Sequence, residues 1–327
     1  QDVIRDYDYY SYGKTDQLMF GAGIVASDLF VSRSGNNLVV KINDPDNATA
    51  TDQIIIENWY SSGQYQIETL VFSDGSSLSK AQLNTMGNVV YGTNGADTLN
   101  GFADNNTLYG YGGNDTITDS NGSDTIDGGA GDDVITDSGS GTNTLLGGEG
   151  NDTITFGSAG SNTIDGGSGN DVIKAENPYG YTANTLTGGT GNDRIESGGS
   201  ADTYLFNRGD GQDVIRDYDY YSYGKTDQLV FGADVRADQL WLQQIGNNLK
   251  VNIIGTTESV TVENWYSNSV YHVEQLKSGD GKVLLDTQVE YLVQAMAAFT
   301  PPDAGQTTLP QNYQDQLSAV LAARARS

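Results

Sequence analysis

The sequence predicts an all-β chain. A right-handed parallel β-roll lies between two duplicated β-rich modules, and short helices close the C-terminus. Three observations carry this reading. A nine-residue phrase recurs between residues 110 and 206, one eighteen-residue string occurs twice, and alternating apolar patterns with D-G turns follow each copy of that string.

The phrase is explicit. Gly128–Thr136 reads GGAGDDVIT, Gly147–Thr155 GGEGNDTIT, Gly166–Lys174 GGSGNDVIK and Gly188–Glu196 GGTGNDRIE. All fit G-G-x-G-x-D-x-U-x, with U a large apolar residue, a pattern that stacks as a parallel β-helix. Gly110–Thr118, GYGGNDTIT, is a looser version. Glycine permits tight turns and close approach of the backbone to a ligand. Its carbonyl and the position-six Asp carboxylate are hard oxygen donors, which suit Ca²⁺ with its six to eight oxygens. The ending of each phrase is β-prone. Its apolar residue points inward, and the set Ile117, Ile126, Ile135, Leu145, Ile154, Ile164, Ile173, Leu186 and Ile195 is expected to stack as an interior ladder.

The candidate ligands follow by position. They are Gly110, Gly112, Gly113 and Asp115; Gly128, Gly129, Gly131 and Asp133; and Gly147, Gly148, Gly150 and Asp152. Next come Gly166, Gly167, Gly169 and Asp171, then Gly188, Gly189, Gly191 and Asp193, with Asp97, Asp124, Asp202 and Asp213 as outlying members. The aspartates at 115, 133, 152, 171 and 193 are spaced by 18, 19, 19 and 22 residues, and Asp97 precedes Asp115 by 18. Between them lie weaker turns whose sixth positions are Asn106, Asp124, Asn143, Asn162, Asn184 and Asp202. Alternate turns of a roll occupy opposite edges, so one edge is expected to be rich in Asp and metal, the other mostly Asn and metal-poor. The extra residues at Asn177–Tyr181 are expected to bulge from the poor edge.

Composition bounds the rest. The 327 residues suffice for two or three domains, and their formal net charge is −27. Nucleic acid is not an expected partner, because phosphate binding needs clustered Lys and Arg. An acidic, glycine-rich chain is expected to stay unfolded until cations arrive. There is no Cys, hence no disulfide or thiolate site. No run of apolar residues is long enough for a transmembrane helix, and no N-terminal signal peptide is visible in the sequence. The pattern opens in mid-unit, so the parent chain is expected to continue or the protein to stack end to end.

The larger repeat sets the modules. Gln1–Leu18 and Gln212–Leu229 are identical, GNNL at Gly35 recurs at Gly246, and ENWY at Glu57 recurs at Glu263. The offset falls from 211 to 206 through extra residues near Asp44–Thr51. Tyr65–Phe72 and Tyr271–Lys277 are each expected to begin a strand pair through D-G turns. The expected divisions are a first β-rich module at 1–86, the roll at 87–206, a second module at 207–286 and a C-terminal helical segment at 287–327.

These nonapeptides resemble those of RTX proteins exported by type I secretion. The flanking modules are similar to the haemolysin-type calcium-binding-related domain, on the strength of GDGQDVI at Gly209, TDQLVFG at Thr226 and the two ENWY motifs. The resemblance implies several Ca²⁺ ions, the type I secretion machinery as a partner, export in an unfolded state and folding outside the cell. It also implies an uncleaved C-terminal export signal, here expected in 287–327, where Asp286–Phe299 and Tyr313–Arg324 read as helices separated by Pro301-Pro302. These helices are also suited to covering a β edge.

Catalytic chemistry is sparse. His272 is the only histidine and is read as a plain strand position without a nearby nucleophile. Zinc is not expected. Most aspartates are explained by repeat positions, and Asp44-Pro45 reads as an ordinary turn rather than a cleavage site. Tyr7, Tyr9, Tyr10 and Tyr12 recur as Tyr218, Tyr220, Tyr221 and Tyr223; they are read as packing residues, with Asp217, Asp219 and Asp227 closing a further calcium site. The expected function is a non-enzymatic, calcium-folded region of a secreted adhesin, surface-layer or filament protein, extracellular or cell-surface associated, with self-association or a cell-surface partner. The alternative is the export and folding tail of a toxin or hydrolase whose active domain lies upstream.

Overall fold

The computed structural model describes residues 1–8, 15–43, 52–157, 159–176, 182–199, 201–219, 225–303 and 305–324. The chain forms two compact units, Gln1–Val90 and Tyr91–Ser327.

In the larger unit the motif endings become strands of two parallel sheets. One sheet stacks Thr98–Asn100, Thr116–Asp119, Val134–Asp137, Thr153–Phe156, Val172–Ala175 and Arg194–Ser197. The other stacks Thr107–Tyr109, Thr125–Ala130, Thr144–Glu149, Thr163–Ser168, Thr185–Thr190 and Thr203–Phe206. Register superposes like positions. Ile117, Ile135, Ile154, Ile173 and Ile195 form one column. Leu108, Ile126, Leu145, Ile164, Leu186 and Tyr204 form the facing one. All are buried, as the nonapeptide phase requires. Burying each aliphatic side chain contributes about 1.5–3 kcal/mol.

The sheets do not stop at the expected division after residue 206. Gln212–Asp217 pairs in parallel with Arg194–Ser197, and Gln228–Phe231 with Thr203–Phe206. Ser259–Val262 and Gln275–Lys277 extend each sheet once more, still parallel. The cause lies in the alternation of DVI and QLVF, which offers the same inward apolar residues, Ile215 and Leu229, to the growing ladder. Antiparallel strands Leu240–Ile245, Asn248–Ile253 and Val283–Leu285 then end the two sheets.

The smaller unit repeats this ending. Asp2–Ile4 pairs in parallel with Gln53–Ile56, and Leu29–Ser34 and Asn37–Ile42 form an antiparallel hairpin beside it. In both units the ENWY asparagine, Asn58 or Asn264, takes φ 59°, a conformation Asn tolerates better than most residues. Its N–H is held by Asn37 or Asn248, and the next residue, Trp59 or Trp265, enters the core.

Sequence reading missed one helix. Ser77–Ser79 leads into α1, Lys80–Gly87, capped reciprocally by Ser79 and Gln82. The helix α2, Asp286–Ala297, starts at the equivalent place, and Leu83 and Val289 are the corresponding buried residues. So α2 belongs to the duplicated module, and the division after residue 286 cuts off part of its core. A separate helix, α3, spans Gln311–Arg324. The strand expected at Tyr271 is also corrected. Ser269–Tyr271 is a 3-10 turn, as is Gly63–Tyr65, and His272 follows the turn outside any strand. The His272 ring stacks on Trp265 at 4.3 Å, with Nε2 3.0 Å from the Trp265 carbonyl oxygen and Nδ1 3.3 Å from Asp286. The Asp44–Thr51 segment, including the Asp44-Pro45 bond, lies outside the described residues, as do Asn177–Tyr181 and Tyr9, Tyr10, Tyr12, Tyr220, Tyr221 and Tyr223.

Ile154→Ala should open a cavity in the middle of the ladder and destabilise the calcium-loaded fold by about 2–5 kcal/mol. Val134→Ala, on the partly exposed face, should change it by less than about 0.5 kcal/mol. Urea unfolding at fixed calcium distinguishes the two.

Candidate metal centre

The two edges of the roll are built on one hydrogen-bond scheme. On the first edge each position-six Asp turns Oδ1 toward the coil before it. Asp115 accepts from the Asp97 N–H, Asp133 from Asp115, Asp152 from Asp133, Asp171 from Asp152, Asp193 from Asp171 and Asp213 from Asp193, at 2.7–3.0 Å. The outlying Asp213 therefore continues the row. The second edge does the same through Asp124, Asn143, Asn162, Asn184, Asp202 and Asp227.

The edges differ at the other side-chain atom. Asp115, Asp133, Asp152, Asp171 and Asp193 each leave Oδ2 buried and without a hydrogen-bond partner. Asn on the second edge instead has Nδ2, which donates to a nearby carbonyl: Asn106 to Phe102, Asn162 to Gly157 and Asn184 to Thr182. The amide satisfies internally what the carboxylate leaves open. A buried, unpartnered carboxylate is costly unless a cation meets it.

The glycines shape that opening. A Cβ on Gly110, Gly128, Gly147 or Gly166 would collide with the Oδ2 of the same motif's Asp and the carbonyl oxygen of the next motif's first glycine. A Cβ on Gly188 would collide with Asp193. The four cradles at Gly110, Gly128, Gly147 and Gly166 thus bring together a carboxylate oxygen and a glycine carbonyl from the next coil. Hard oxygens alone line them, which fits Ca²⁺. The glycines at positions two and four serve the stacking: Gly129, Gly131, Gly148, Gly150, Gly167, Gly169, Gly189 and Gly191 have positive φ and lie against the backbone of the preceding coil. Tyr111 shows how strongly the turn demands this conformation, because it takes φ 72° where the other motifs have glycine. Gly112 forms a bridge with Ala130, and Gly113 packs on Gly95 and Ala96. Asp97 is less enclosed; its Oδ2 accepts from Thr93.

The second edge is not uniform. Asp119, Asp124 and Asp137 also bury an unpartnered Oδ2. Asp119 and Asp137 end their strands, and this column continues as Phe156, Ala175, Ser197 and Asp217. The middle of the edge is therefore apolar, with acids at both ends. Sequence reading missed Asp119 and Asp137 because they stand outside the nonapeptide; the recurrence of ITDS in both strands was the available signal. Asp202 is spent differently, since its Oδ2 accepts from the Ser197 hydroxyl at 2.6 Å.

Without a cation, burial raises these carboxyls. Desolvation lifts Asp133 to about 6, Asp119 and Asp171 to about 7, and Asp213 to about 8, with neighbouring aspartates adding to the rise.

Comparison with known families agrees with this geometry. The haemolysin-type calcium binding protein related domain matches residues 37–82 and 248–288. The RTX calcium-binding nonapeptide repeat matches 84–117, 109–136, 137–173 and 179–215. The chain is similar to the Iron-regulated protein FrpA of Neisseria meningitidis serogroup C, with 34% identity over 95 residues, which is 28% of this chain and 8% of FrpA. Among solved structures, the extracellular lipase LipA from Serratia marcescens aligns with 63% of this chain and 44% of its own, at 19% identity and a TM-score of 0.28. That likeness carries no argument about activity.

Asp152→Asn should raise the calcium concentration needed for folding, because it replaces the open Oδ2 with a donor. Gly147→Ala should do the same by filling the cradle. Asn143→Ala removes an acceptor from the other edge, so it should cost about 1 kcal/mol without changing the number of ions bound. Circular dichroism with ion counting separates these outcomes.

The pH dependence has a definite sign. A carboxyl raised in the folded state favours the metal-free fold below its ordinary value of 3.8, and that contribution is lost as pH rises through about 6–8. In chelator, β signal should therefore grow as pH falls from 8 toward 4. In calcium, the folding midpoint should move to higher calcium over the same fall, because protons compete for the ligands.

Proposed function

The chain belongs to the RTX nonapeptide-repeat proteins of haemolysin type, which bind calcium and are secreted, and on that premise we propose that it is a calcium-folded structural region of an extracellular protein of adhesin, surface-layer or filament type. The observation that supports this most is the row of buried Asp oxygens, those of Asp115, Asp133, Asp152 and Asp171 lying beside a glycine carbonyl of the next coil. The roll is a β-solenoid scaffold rather than a catalytic domain. No helix of the described residues is long and apolar enough to cross a membrane.

In this reading the chain leaves the cell unfolded through type I machinery. A formal charge of −27 opposes compaction where calcium is scarce. Outside, ions would be held by Asp115, Asp133, Asp152, Asp171 and Asp193 with the first glycines of each motif. Bound calcium supplies positive charge and crosslinks neighbouring coils. Because the sites exist only in the folded roll, their binding free energy is folding free energy. The duplicated module favours an array-like parent, self-associating or attached to a cell surface. The match to 8% of FrpA favours a second reading, in which this region is the export and folding tail of a much longer toxin or hydrolase. Further roll and module units in the parent sequence support the first; an upstream active domain supports the second.

The purified chain should show little β signal in chelator and gain it cooperatively at about 10⁻⁴–10⁻³ M calcium, with magnesium ineffective. A fully folded roll after exhaustive removal of calcium contradicts the proposal.

Export can be tested separately. Removing residues 287–327 takes away Val289, Leu292, Val293 and Met296, which are buried in the second module, so folding should suffer as well as export. Removing 311–327 leaves α2 in place and should abolish export through a type I exporter while keeping the calcium midpoint of the roll within about twofold, about 0.4 kcal/mol. Efficient secretion of this shorter chain places the signal elsewhere.

A further inference from the structure

The nonapeptide row does not account for three further buried acids among the described residues. Asp217, Asp219 and Asp227 lie where the roll passes into the second module, and all three are buried. One carboxylate oxygen from each lies within 4.8 Å of the others. Asp217 is completely shielded from solvent, and neither of its oxygens has a hydrogen-bond partner. Asp227 Oδ2 is likewise buried and unpartnered. The Tyr204 hydroxyl, also buried without a partner, sits among the same carboxylates.

Strand pairing with Ser197 places Asp217, and surrounding hydrogen bonds fix the other two acids. The Asp227 N–H donates to Glu274 at 2.7 Å, and its Oδ1 accepts from the Asp202 N–H. The Asp219 N–H donates to the Val270 carbonyl at 2.8 Å, while its Oδ1 accepts from Gly199. The chain repeats this construction. Asp6, Asp8 and Asp16 also bring carboxylate oxygens within 4.8 Å of one another. There the Asp16 N–H donates to Glu68 at 2.8 Å, the Asp8 N–H donates to Gln64 at 3.0 Å, and Asp6 Oδ2 is buried without a partner. Flanking rings match too: Tyr218 contacts Tyr271 as Tyr7 contacts Tyr65, with centroids 5.3 and 5.2 Å apart.

We propose that Asp217, Asp219 and Asp227 form a divalent-cation site distinct from the nonapeptide row, fitted to Ca²⁺, with Asp6, Asp8 and Asp16 as its more exposed and weaker copy. The row offers one carboxylate per cradle with glycine carbonyls; this site converges three carboxylates and a phenolic oxygen. Like charges packed this closely repel strongly unless a cation lies between them. Calcium affinity rises with ligand charge and rigidity, from about 10⁻⁴–10⁻³ M in extracellular modules to 10⁻⁷–10⁻⁵ M in charge-rich sites. The junction site therefore fills at roughly 10- to 10,000-fold lower calcium than the row. It ties the last turns of the roll to the module that ends it.

The test uses the full chain dialysed against calcium buffered at about 3 × 10⁻⁵ M, a level between the two affinity classes, with ions counted by native mass spectrometry. The parent should retain a tightly held ion that Asp217→Asn loses and Asp152→Asn keeps. Equal retention by the parent and Asp217→Asn overturns the proposal. So does gain of an ion only in Lys225→Met, because Lys225, whose Nζ donates to the Gly199 carbonyl, is then the resident counter-charge. If Asp217→Asn does not fold, crystals of the parent exposed to limiting terbium should show an anomalous peak between the three carboxylates before any peak along the row. No peak there overturns the proposal. Filling here with the row still empty at millimolar calcium contradicts only the proposed function, and a filled row with this site empty contradicts only this site.

Discussion

A column of carboxylates is held inside this protein with one oxygen of each unsatisfied. Everything else in the roll is arranged around that constraint. The Oδ1 ladder fixes the acids in register, the apolar ladder of Ile and Leu supplies burial, and the glycines clear the space beside each Oδ2. None of these is independent. Without the glycines the cradle fills, and without the apolar column the carboxylates would be hydrated and the cradle unnecessary. The cost of enclosing negative charge makes the fold conditional on its surroundings, and that dependence suits a chain that must remain open in one compartment and close in another.

The exchange of Asp for Asn shows how small a chemical change redirects a turn. Both side chains have an Oδ1, and both use it to hold the preceding coil. One terminal atom separates an acceptor left open from a donor that finds its own carbonyl. The same scaffold therefore builds an edge that needs ions along its length and another whose Asn-lined middle does not. Phe156 and Ala175 fill the middle of the second edge where Asp119, Asp137 and Asp217 stand at its ends.

Much of this was legible in the sequence because the nonapeptide fixes register and face together. The phase of Ile117 through Ile195 identified the interior column, and the two aspartate series separated the edges. Features that depend on contacts between distant segments were not legible. The strand-end acids Asp119 and Asp137 gain meaning only when coils stack. The continuation of both sheets through Gln212–Asp217 and Gln228–Phe231 depends on pairing across a loop that breaks the repeat. The helix α1 was hidden because KAQLNTMG buries little beyond Leu83, so its apolar period is faint. His272 looked like a strand residue by alternation, yet stacking on Trp265 holds it just after a 3-10 turn.

The ladder has a direction. Each Asp side chain reaches back to the coil before it, so every coil is latched by its successor: Asp133 secures Asp115, Asp152 secures Asp133, and Asp213 secures Asp193. The two ends of the roll are consequently unlike. At the leading end Asp97 can turn its carboxylate onto its own loop, at Thr93. At the trailing end no later coil of the row supplies the latch, and the strands of the second module take its place. A roll built this way frays from its trailing end, and the module that follows acts as the clasp.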